Sequence, residues 1–315
     1  MAKTVLVTGG AGFIGSHLVD KLIDKGYNVI AVDNLSTGRS EYINNKALFY
    51  QIDITNIDAI KQVFQVHKPS TVFHLAAQIS VSRSTREPAF DALTNVVGTV
   101  NLLEASIENG AKKFVFSSSG GVVYGEVDEY PIKETTPFAP VSPYGISKMT
   151  GEYYLRFFKR EKGLDYAALR YANVYGPRQD PYGEAGVVAI FINKILKGEK
   201  PVINGDGEYI RDYVFVDDVV NANIRAMEYS GTVEVNISTS KGTSVNELFK
   251  ILKSLTKFNN NAEYGPPRPG DIRKNILDNN LAREKLSWKP SYSLENGLKE
   301  TIEYFKAKVK SNGPG

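Results

Sequence analysis

Cysteine is absent from the 315 residues of this chain, and histidine occurs only at His17, His67 and His74. Without cysteine there can be no disulfide, no thiol nucleophile and no cysteine-ligated zinc. The three histidines also lack the i, i+4 spacing that places two zinc ligands on one helix face. We therefore predict no metal site and no thiol chemistry.

Long apolar runs are missing as well. No stretch approaches the roughly 20 apolar residues that a membrane-spanning helix needs, and the apolar run after Lys3 is too short for a secretory signal. Basic and acidic residues are nearly balanced, 38 against 35, and no segment forms the basic stripe typical of nucleic-acid binding. We expect a soluble cytoplasmic protein that binds small molecules, with no nucleic-acid or membrane partner.

Strand-like and helix-like segments alternate through the first part of the chain. Ile14, Leu18 and Leu22 recur at helical spacing between two strand-like runs, and Val96 and Val100 do so between two others. This alternation predicts an α/β fold, a doubly wound Rossmann-type parallel sheet of about seven strands with helices on both faces. The predicted strands lie at residues 4–7, 28–32, 48–52, 71–75, 113–117, 166–169 and 234–237.

Turn-forming residues become frequent after about residue 175. Stretches rich in glycine, proline and aspartate occur at residues 176–183, 204–207 and 265–271. They indicate a smaller C-terminal α/β domain whose loops close over a ligand. We predict a Rossmann domain at residues 1–174, to which residues 214–240 return, a substrate domain at 175–213 and 241–310, and a tail at 311–315.

Gly9, Gly12 and Gly15 lie in the turn between the first predicted strand and the first predicted helix. The first glycine allows a tight bend, the second lets backbone approach a pyrophosphate, and the third lets helix pack on strand. The pyrophosphate then meets the N–H groups of the helix N-terminus. Asp33 follows about 20 residues later, where an acid hydrogen-bonds the adenosine ribose and repels a 2′-phosphate. The pattern favours NAD, although the nearby Arg39 leaves NADP open.

Tyr144 and Lys148 are four residues apart at the start of a predicted helix, so their side chains share one face. The pKa of a tyrosine is about 10, and a base working near neutral pH needs it about 3 lower, which corresponds to about 4 kcal/mol. A lysine ammonium one turn away can supply much of this, and an oxidised nicotinamide cation adds to it. The alternative is an ordinary surface Tyr–Lys pair.

A serine run, Ser117-Ser118-Ser119, ends the fifth predicted strand, at the sheet edge where ligands bind. A hydroxyl there could share a substrate proton with Tyr144, or the serines could simply cap the loop that follows. Four residues, 120–123, separate the run from Tyr124. The position of the relaying serine is therefore open between Ser119, which counting from Phe116 favours, and Ser118.

Eight motifs together resemble the extended short-chain dehydrogenase/reductase family, and within it the UDP-glucose (UDP-galactose) 4-epimerases. They are TGGAGFIGSH (8–17), VDNLSTG (32–38), HLAAQ (74–78), FSSSGGVVYG (116–125), PYGISK (143–148), LRYANVYGP (169–177), RDYVFVDD (211–218) and RPGD (268–271). The loop between the serine run and Tyr124 has four residues, 120–123, where many members of this family have three.

The resemblance implies a role for each matching position. It gives the catalytic roles to Tyr144, Lys148 and Ser119, with Ser118 as the fallback. It implies substrate contacts from Ser119, Tyr144, Asn173, Val187, Arg211, Arg268 and Asp271, with the two arginines suited to a diphosphate. The implied NAD contacts are Gly9, Gly12, Phe13, Ile14, Gly15, Asp33, Asn34, Ser36, Thr37, Gly38, Asp53, Ile54, Leu75, Ala76, Ala77, Gln78, Asn95, Ser117, Tyr144 and Lys148.

The activity implied is NAD-dependent 4-epimerisation of a UDP-sugar through a transient 4-keto sugar, by a homodimer. Related enzymes remain as alternatives: 4-epimerases of UDP-N-acetylglucosamine or UDP-glucuronate, dehydratases, decarboxylases and ketoreductases. Dehydratases and decarboxylases typically carry an acid in the loop before Tyr-Gly, whereas residues 120–123 are Gly-Gly-Val-Val. A non-catalytic NAD sensor is disfavoured because such proteins commonly lose the Tyr–Lys pair.

Overall fold

Thirteen strands and eleven helices are found in the computed structural model, which describes residues 3–182, 186–267 and 271–311. The strands are β1 (Thr4–Thr8), β2 (Asn28–Asp33), β3 (Leu48–Gln51), β4 (Thr71–His74), β5 (Lys113–Ser119), β6 (Asp165–Tyr171), β7 (Asn173–Tyr175), β8 (Val202–Asn204), β9 (Ile210–Phe215), β10 (Val233–Ile237), β11 (Gly242–Ser244), β12 (Glu263–Gly265) and β13 (Lys274–Asn275). The helices are α1 (Phe13–Asp24), α2 (Ile57–His67), α3 (Val81–Arg86), α4 (Pro88–Ala92), α5 (Gly98–Glu108), α6 (Pro143–Lys162), α7 (Val187–Leu196), α8 (Val216–Glu228), α9 (Val245–Thr256), α10 (Asn280–Leu286) and α11 (Leu294–Ser311).

Seven parallel strands of the described chain form the main sheet, in the order β10-β6-β5-β4-β1-β2-β3. The predicted doubly wound Rossmann-type fold is confirmed, and each predicted strand coincides with one of these seven to within a few residues. Strand order reverses at β1, so the carboxyl ends of β1 and β4 flank the crevice where such folds bind ligands.

The two faces of this sheet bury separate cores, because successive side chains of a strand point to opposite sides. Val5 and Val7 of β1 pack with Leu18 and Leu22 of α1 on one face. Leu6, between them, joins α2, α5 and α6 on the other face. Nearly uninterrupted apolar strands are what a sheet covered on both sides requires.

A second group of elements lies beyond β6. Strands β11, β9 and β13 form a sheet in that order, with β7 also paired to β9, and β12 pairs with β8. A third core made by α7, α9 and α11 fills this part, with Phe191, Phe249 and Phe305 at its centre. The chain returns to the main sheet through α8 and β10. The predicted domain limit at residue 213 falls inside β9, and the domain division stays a prediction.

Local sequence explains where α6, the helix that carries Tyr144, begins and ends. The Ser142 side chain accepts a hydrogen bond from the Gly145 N–H at 3.2 Å, and Pro143 occupies the first helical position. Gly163 ends the helix with φ +73°, a left-handed conformation that glycine adopts at little cost. The beginning of α6, and with it the Tyr144–Lys148 pair, is therefore fixed by its own cap.

Two further findings limit what the molecule contains. None of the helices in the described ranges combines the length and apolar character that crossing a membrane requires. In the same ranges, no cluster of histidine and acidic side chains could hold a metal ion.

A buried ion pair joins α6 to the main sheet. The Arg170 guanidinium on β6 donates to the Glu152 carboxylate on α6, from Nε to Oε1 at 3.0 Å and Oε2 at 3.2 Å and from Nη2 to Oε2 at 2.7 Å. Both side chains are almost completely buried. Arg170 also donates to Tyr124 at 2.9 Å and to Glu234 at 3.0 Å. The pair fixes the depth at which α6 sits on β5 and β6.

We predict that Glu152→Gln lowers the free energy of unfolding by about 3 kcal/mol, because Arg170 would keep its charge in the interior without its main counter-ion. Urea-induced unfolding followed by circular dichroism measures this loss. The matched control is Glu161→Gln, which removes an exposed partner of Arg160 and should change stability little. Equal effects of the two substitutions would contradict the prediction.

Candidate active site

A cavity of about 1420 Å³ opens where β1, β2, β4, β5 and β6 end at their carboxyl edges. It is larger than the roughly 300–1000 Å³ typical of a site for one small ligand, which leaves space for more than one. The predicted site residues that line it are Gly9, Gly12, Phe13, Ile14, Gly15, Asp33, Asn34, Ser36, Thr37, Asp53, Ile54, Leu75, Ala76, Ala77, Gln78, Ser117, Ser118, Ser119, Tyr144, Lys148, Asn173, Val187, Arg211 and Asp271.

The glycine turn joins β1 to α1 at one end of the cavity. Gly9 has φ +70°, and a Cβ there would lie 2.8 Å from the backbone nitrogen of Ala76. A Cβ on Gly15 would lie 2.0 Å from the carbonyl oxygen of Gly9, so helix and turn pack too closely for any side chain. Within the described chain no side chain caps the first turn of α1, and its N–H groups are available to an anionic ligand.

Asp33 ends β2 beside this turn. Its carboxylate accepts hydrogen bonds from the backbone N–H groups of Ala11 at 3.0 Å and Leu35 at 2.8 Å. Burial raises the pKa of Asp33, and these two donors oppose that effect. Gly38 does not line the cavity, and a Cβ on it would lie 2.6 Å from Asp33 Oδ1, so the absence of a side chain leaves room for the carboxylate. Arg39 pairs with Asp180 at 3.3 Å.

The turn after β4 forms the next part of the wall. Asn95 does not line the cavity. It is buried in a π-helical turn at Leu93–Val97, where its Oδ1 accepts from the Gln78 N–H and its Nδ2 donates to the Gln78 carbonyl, both at 2.9 Å. Asn95 thus supports the turn at residues 75–78 from the side away from the cavity.

Asp53, which also lines the cavity, accepts a hydrogen bond at its Oδ2 from Asn34 Nδ2 at 2.8 Å.

Tyr144 and Lys148 both line the cavity from α6. The Lys148 ammonium donates to the Ser117 carbonyl at 2.7 Å and lies 5.8 Å from the centre of the Tyr144 ring. It also lies 5.0 Å from the centre of the Phe116 ring. The helical spacing predicted from sequence therefore brings the phenol and the ammonium together at the end of β5.

Burial is the largest influence on the pKa of both Lys148 and Tyr144. It lowers the pKa of Lys148 to about 8, and the negative charges of Asp91 and Glu152 oppose that lowering. It raises the pKa of Tyr144, and Asp91 raises it further. Desolvation of the phenolate thus opposes ionisation of Tyr144. The lowering of its pKa by Lys148 and by an oxidised nicotinamide stays a prediction.

The neighbouring serines differ in their surroundings. Ser118 is buried, and its hydroxyl donates to Glu152 Oε1 at 2.6 Å, on the side of the Arg170 pair. Ser119 is half-buried, and within the described part of the chain its hydroxyl makes no hydrogen bond. The engagement of Ser118 argues against it as a proton relay and leaves Ser119 as the hydroxyl open to a ligand.

The far end of the cavity is built by the second group of elements. Arg211 on β9 donates to Asp271 Oδ1 at 2.9 Å, and its side chain is largely buried. Asn173 begins β7 and Val187 begins α7, and both line the same space. Arg268 lies outside the described residues.

Two polar side chains that sequence reasoning missed also line this end. The Tyr213 hydroxyl and the Asn275 Oδ1 are buried without a hydrogen-bond partner in the described chain. Buried polar atoms of this kind need a partner, which a bound ligand can supply. Tyr213 could have been found, because it is two residues after Arg211 and shares its face of β9. Asn275, whose Nδ2 donates to the Gly120 carbonyl at 3.1 Å, carries no such signal.

Comparison with known proteins finds relatives that match nearly the whole chain. Residues 5–238 match the family model described as the NAD dependent epimerase/dehydratase family. The chain is 47% identical over 309 residues to a UDP-glucose 4-epimerase from Mycolicibacterium smegmatis, covering 96% of this chain and 98% of that protein.

Two solved structures are similar over nearly the whole chain. The crystal structure of a Thermotoga maritima UDP-glucose 4-epimerase with UDP-glucose has 58% identity and a TM-score of 0.96, and the match covers 97% of this chain and 99% of that one. A Thermus thermophilus UDP-glucose 4-epimerase in complex with NAD has 39% identity and a TM-score of 0.93, with 97% and 100% covered.

The two serines should respond differently to alanine. We expect Ser118→Ala to lower the free energy of unfolding by about 1–2 kcal/mol, because Glu152 would lose a buried donor. Ser119→Ala should leave stability nearly unchanged, since its hydroxyl has no protein partner to lose. Urea unfolding of both variants measures the difference. A larger loss for Ser119→Ala would mean that the assignment of the free hydroxyl is wrong.

Proposed function

The chain belongs to the NAD-dependent epimerase/dehydratase family, and we propose that it is a UDP-sugar 4-epimerase that interconverts UDP-glucose and UDP-galactose. The observation that carries this proposal is the continuity of the cavity. It joins the glycine turn, the Tyr144–Lys148 pair and Arg211. A dinucleotide and a sugar nucleotide can therefore approach the catalytic pair from opposite ends.

The residues at the first end fit NAD, the cofactor of this family. Close packing of the glycine turn leaves N–H groups for the diphosphate, and Asp33 suits the ribose hydroxyls of adenosine. Arg39, which would favour a 2′-phosphate, is paired with Asp180. We assign the adenine contacts to Asp53 and Ile54 and the nicotinamide ribose contacts to Tyr144 and Lys148. When bound, NAD supplies the acceptor and donor of the C4 hydride, and its oxidised ring adds a positive charge near Tyr144.

The protein's part in the chemistry is proton transfer and orientation. Tyr144, as phenolate, takes the proton of the sugar 4-hydroxyl, and Ser119 relays it. Lys148 stabilises the phenolate as a fixed cation in a site with little water. We assign the diphosphate of the 4-keto sugar to Arg211 and Arg268, which would hold it while the sugar turns and presents its other face to the cofactor, the source of the returning hydride. Tyr144 gives the proton back, so the C4 configuration is inverted with no net redox change.

The loop after the serines favours epimerisation over elimination. A dehydratase or decarboxylase would need an acid or base beside the sugar in addition to Tyr144. Residues 120–123 carry none, and Val123 is buried in the core. This loop does not determine which sugar is bound, so the assay described below also includes N-acetylated and uronate substrates.

We also propose that residues 1–174 and 214–240 bind NAD and that residues 175–213 and 241–310 bind the sugar nucleotide.

An exposed apolar face supports the proposal that the chain forms homodimers. Leu93 and Val97 of the π turn and Phe157 of α6 are each between 40% and 50% exposed, and these helices pack side by side. Phe158, the next residue of the helix, is only 7% exposed and belongs to the core. A cytoplasmic location stays a prediction.

Tyr144→Phe should lower kcat by a factor of about 10³ while NAD stays bound, because the hydroxyl is needed for proton transfer and not for the fold. The assay incubates pure protein with UDP-glucose, UDP-galactose and their N-acetyl and uronate forms, without added cofactor, and measures the C4 epimers. Tyr153→Phe, an exposed tyrosine of the same helix, is the control and should keep full activity. Net formation of NADH, or full activity of Tyr144→Phe, would contradict the proposed function.

Phe157→Glu should convert the dimer into monomers, because a charge would have to be buried in an apolar interface. Sedimentation equilibrium measures the mass, and circular dichroism verifies the fold. Val66→Glu places the same charge on α2, at another exposed apolar residue, and should leave the dimer intact. A monomeric parent protein would refute the proposed interface.

A further inference from the structure

Asp91 on α4 is a completely buried acid close to the active site. Its Oδ1 accepts hydrogen bonds from Gln78 Nε2 at 2.8 Å and from Asn95 Nδ2 at 2.9 Å. Its Oδ2 accepts from the Ser147 hydroxyl at 2.6 Å. All three partners donate, which is the arrangement expected for an ionised carboxylate, since that group can only accept. Within the described residues no basic side chain forms an ion pair with it.

These three bonds connect two walls of the cavity. Gln78 belongs to the turn after β4, which lines the proposed cofactor end. Ser147 lies on α6 between Tyr144 and Lys148, and its side chain is buried. Asp91 therefore holds the cofactor turn and the catalytic helix to each other at one point, although it does not itself line the cavity.

The charge of Asp91 reaches both catalytic groups. It favours the ammonium form of Lys148, against the desolvation that disfavours it, and it raises the pKa of Tyr144. The other groups around Lys148 are Glu152 on α6, which Arg170 of β6 neutralises, and His74 on β4. His74 is neutral, because burial lowers its pKa to about 3. Asp91 is thus the carboxylate near Lys148 that has no cation of its own.

We propose that Asp91 is a positioning residue for the epimerisation: it locks α6 to the cofactor turn and, as the unshared counter-charge, keeps Lys148 an ammonium ion. The inference rests on the proposed function for its kinetic test. The proposal predicts that removing the charge of Asp91 lowers the pKa of both Tyr144 and Lys148, because a negative charge favours the protonated form of each group.

Asp91→Asn should move both limbs of the pH profile of kcat to lower pH, by about one pH unit. The acid limb reports formation of the Tyr144 phenolate, which becomes easier without the nearby negative charge. The alkaline limb reports loss of the Lys148 proton, which also becomes easier. Asparagine can still accept from Gln78 and Asn95 and donate to Ser147, so the fold should persist. Asp91→Ser, which also removes the charge, should shift the limbs in the same direction.

Two matched variants separate charge from packing. Ser147→Ala removes one hydrogen bond but keeps the carboxylate, so kcat should fall without movement of the limbs. Asp218→Asn removes a buried carboxylate that accepts from Ser291 and Tyr292 elsewhere in the fold. It should lower stability and leave the pH profile unchanged.

A spectroscopic titration of the holoenzyme tests the same point without turnover. The tyrosinate absorbance of each protein, minus that of the same protein carrying Tyr144→Phe, isolates the Tyr144 phenol. Its midpoint should lie at lower pH in Asp91→Asn than in the parent protein. This result would stand even if the chain failed to epimerise UDP-sugars. Unmoved limbs and an unmoved midpoint in both Asp91 variants would overturn the proposal.

Discussion

Lys148 carries a positive charge into a place that water scarcely reaches, and the elements around it are arranged to stabilise that charge. Its ammonium donates to the end of β5, and Asp91 and Glu152 supply negative charge from α4 and α6. Arg170 balances Glu152, so the four buried charges sum to zero. The position of α6 on the sheet, and hence that of Tyr144, follows from satisfying this cluster, because an unbalanced charge at that depth would be costly.

The end of the cavity opposite the glycine turn depends on contacts between residues that are far apart in sequence. Asn275, near the end of the chain, donates to the carbonyl of Gly120, which directly follows the serine strand. Arg211 and Tyr213 reach the same space from β9, in the sheet to which β13 is paired. The proposed sugar site is thus bounded by segments far apart in sequence, whereas the glycine turn and Asp33 come from one βα unit and the strand that follows it.

This contrast explains what the sequence could predict. Regular alternation of apolar strands with helical spacing sufficed for the seven-stranded sheet, and the glycine spacing located the turn at β1. The Tyr144–Lys148 pair followed from helical periodicity alone. The hydrogen bond of Ser118 to Glu152, the partners of Asp91 and the buried, unpartnered Oδ1 of Asn275 could not follow, because each depends on side chains brought together by tertiary packing. The raised pKa of Tyr144 was missed for the same reason, since burial is not visible in spacing.

The position of β10 in the sequence, long after the strand it pairs with, affects folding during synthesis. Strand β6 is almost entirely buried, yet its outer edge is paired only with β10, which begins at residue 233 of 315. Until β10 has been synthesised, the nascent sheet presents an apolar, unpaired edge of the kind that recruits other strands. The elements between β6 and β10 line one end of the cavity, so a longer or slower-folding segment between these two strands would prolong that exposure.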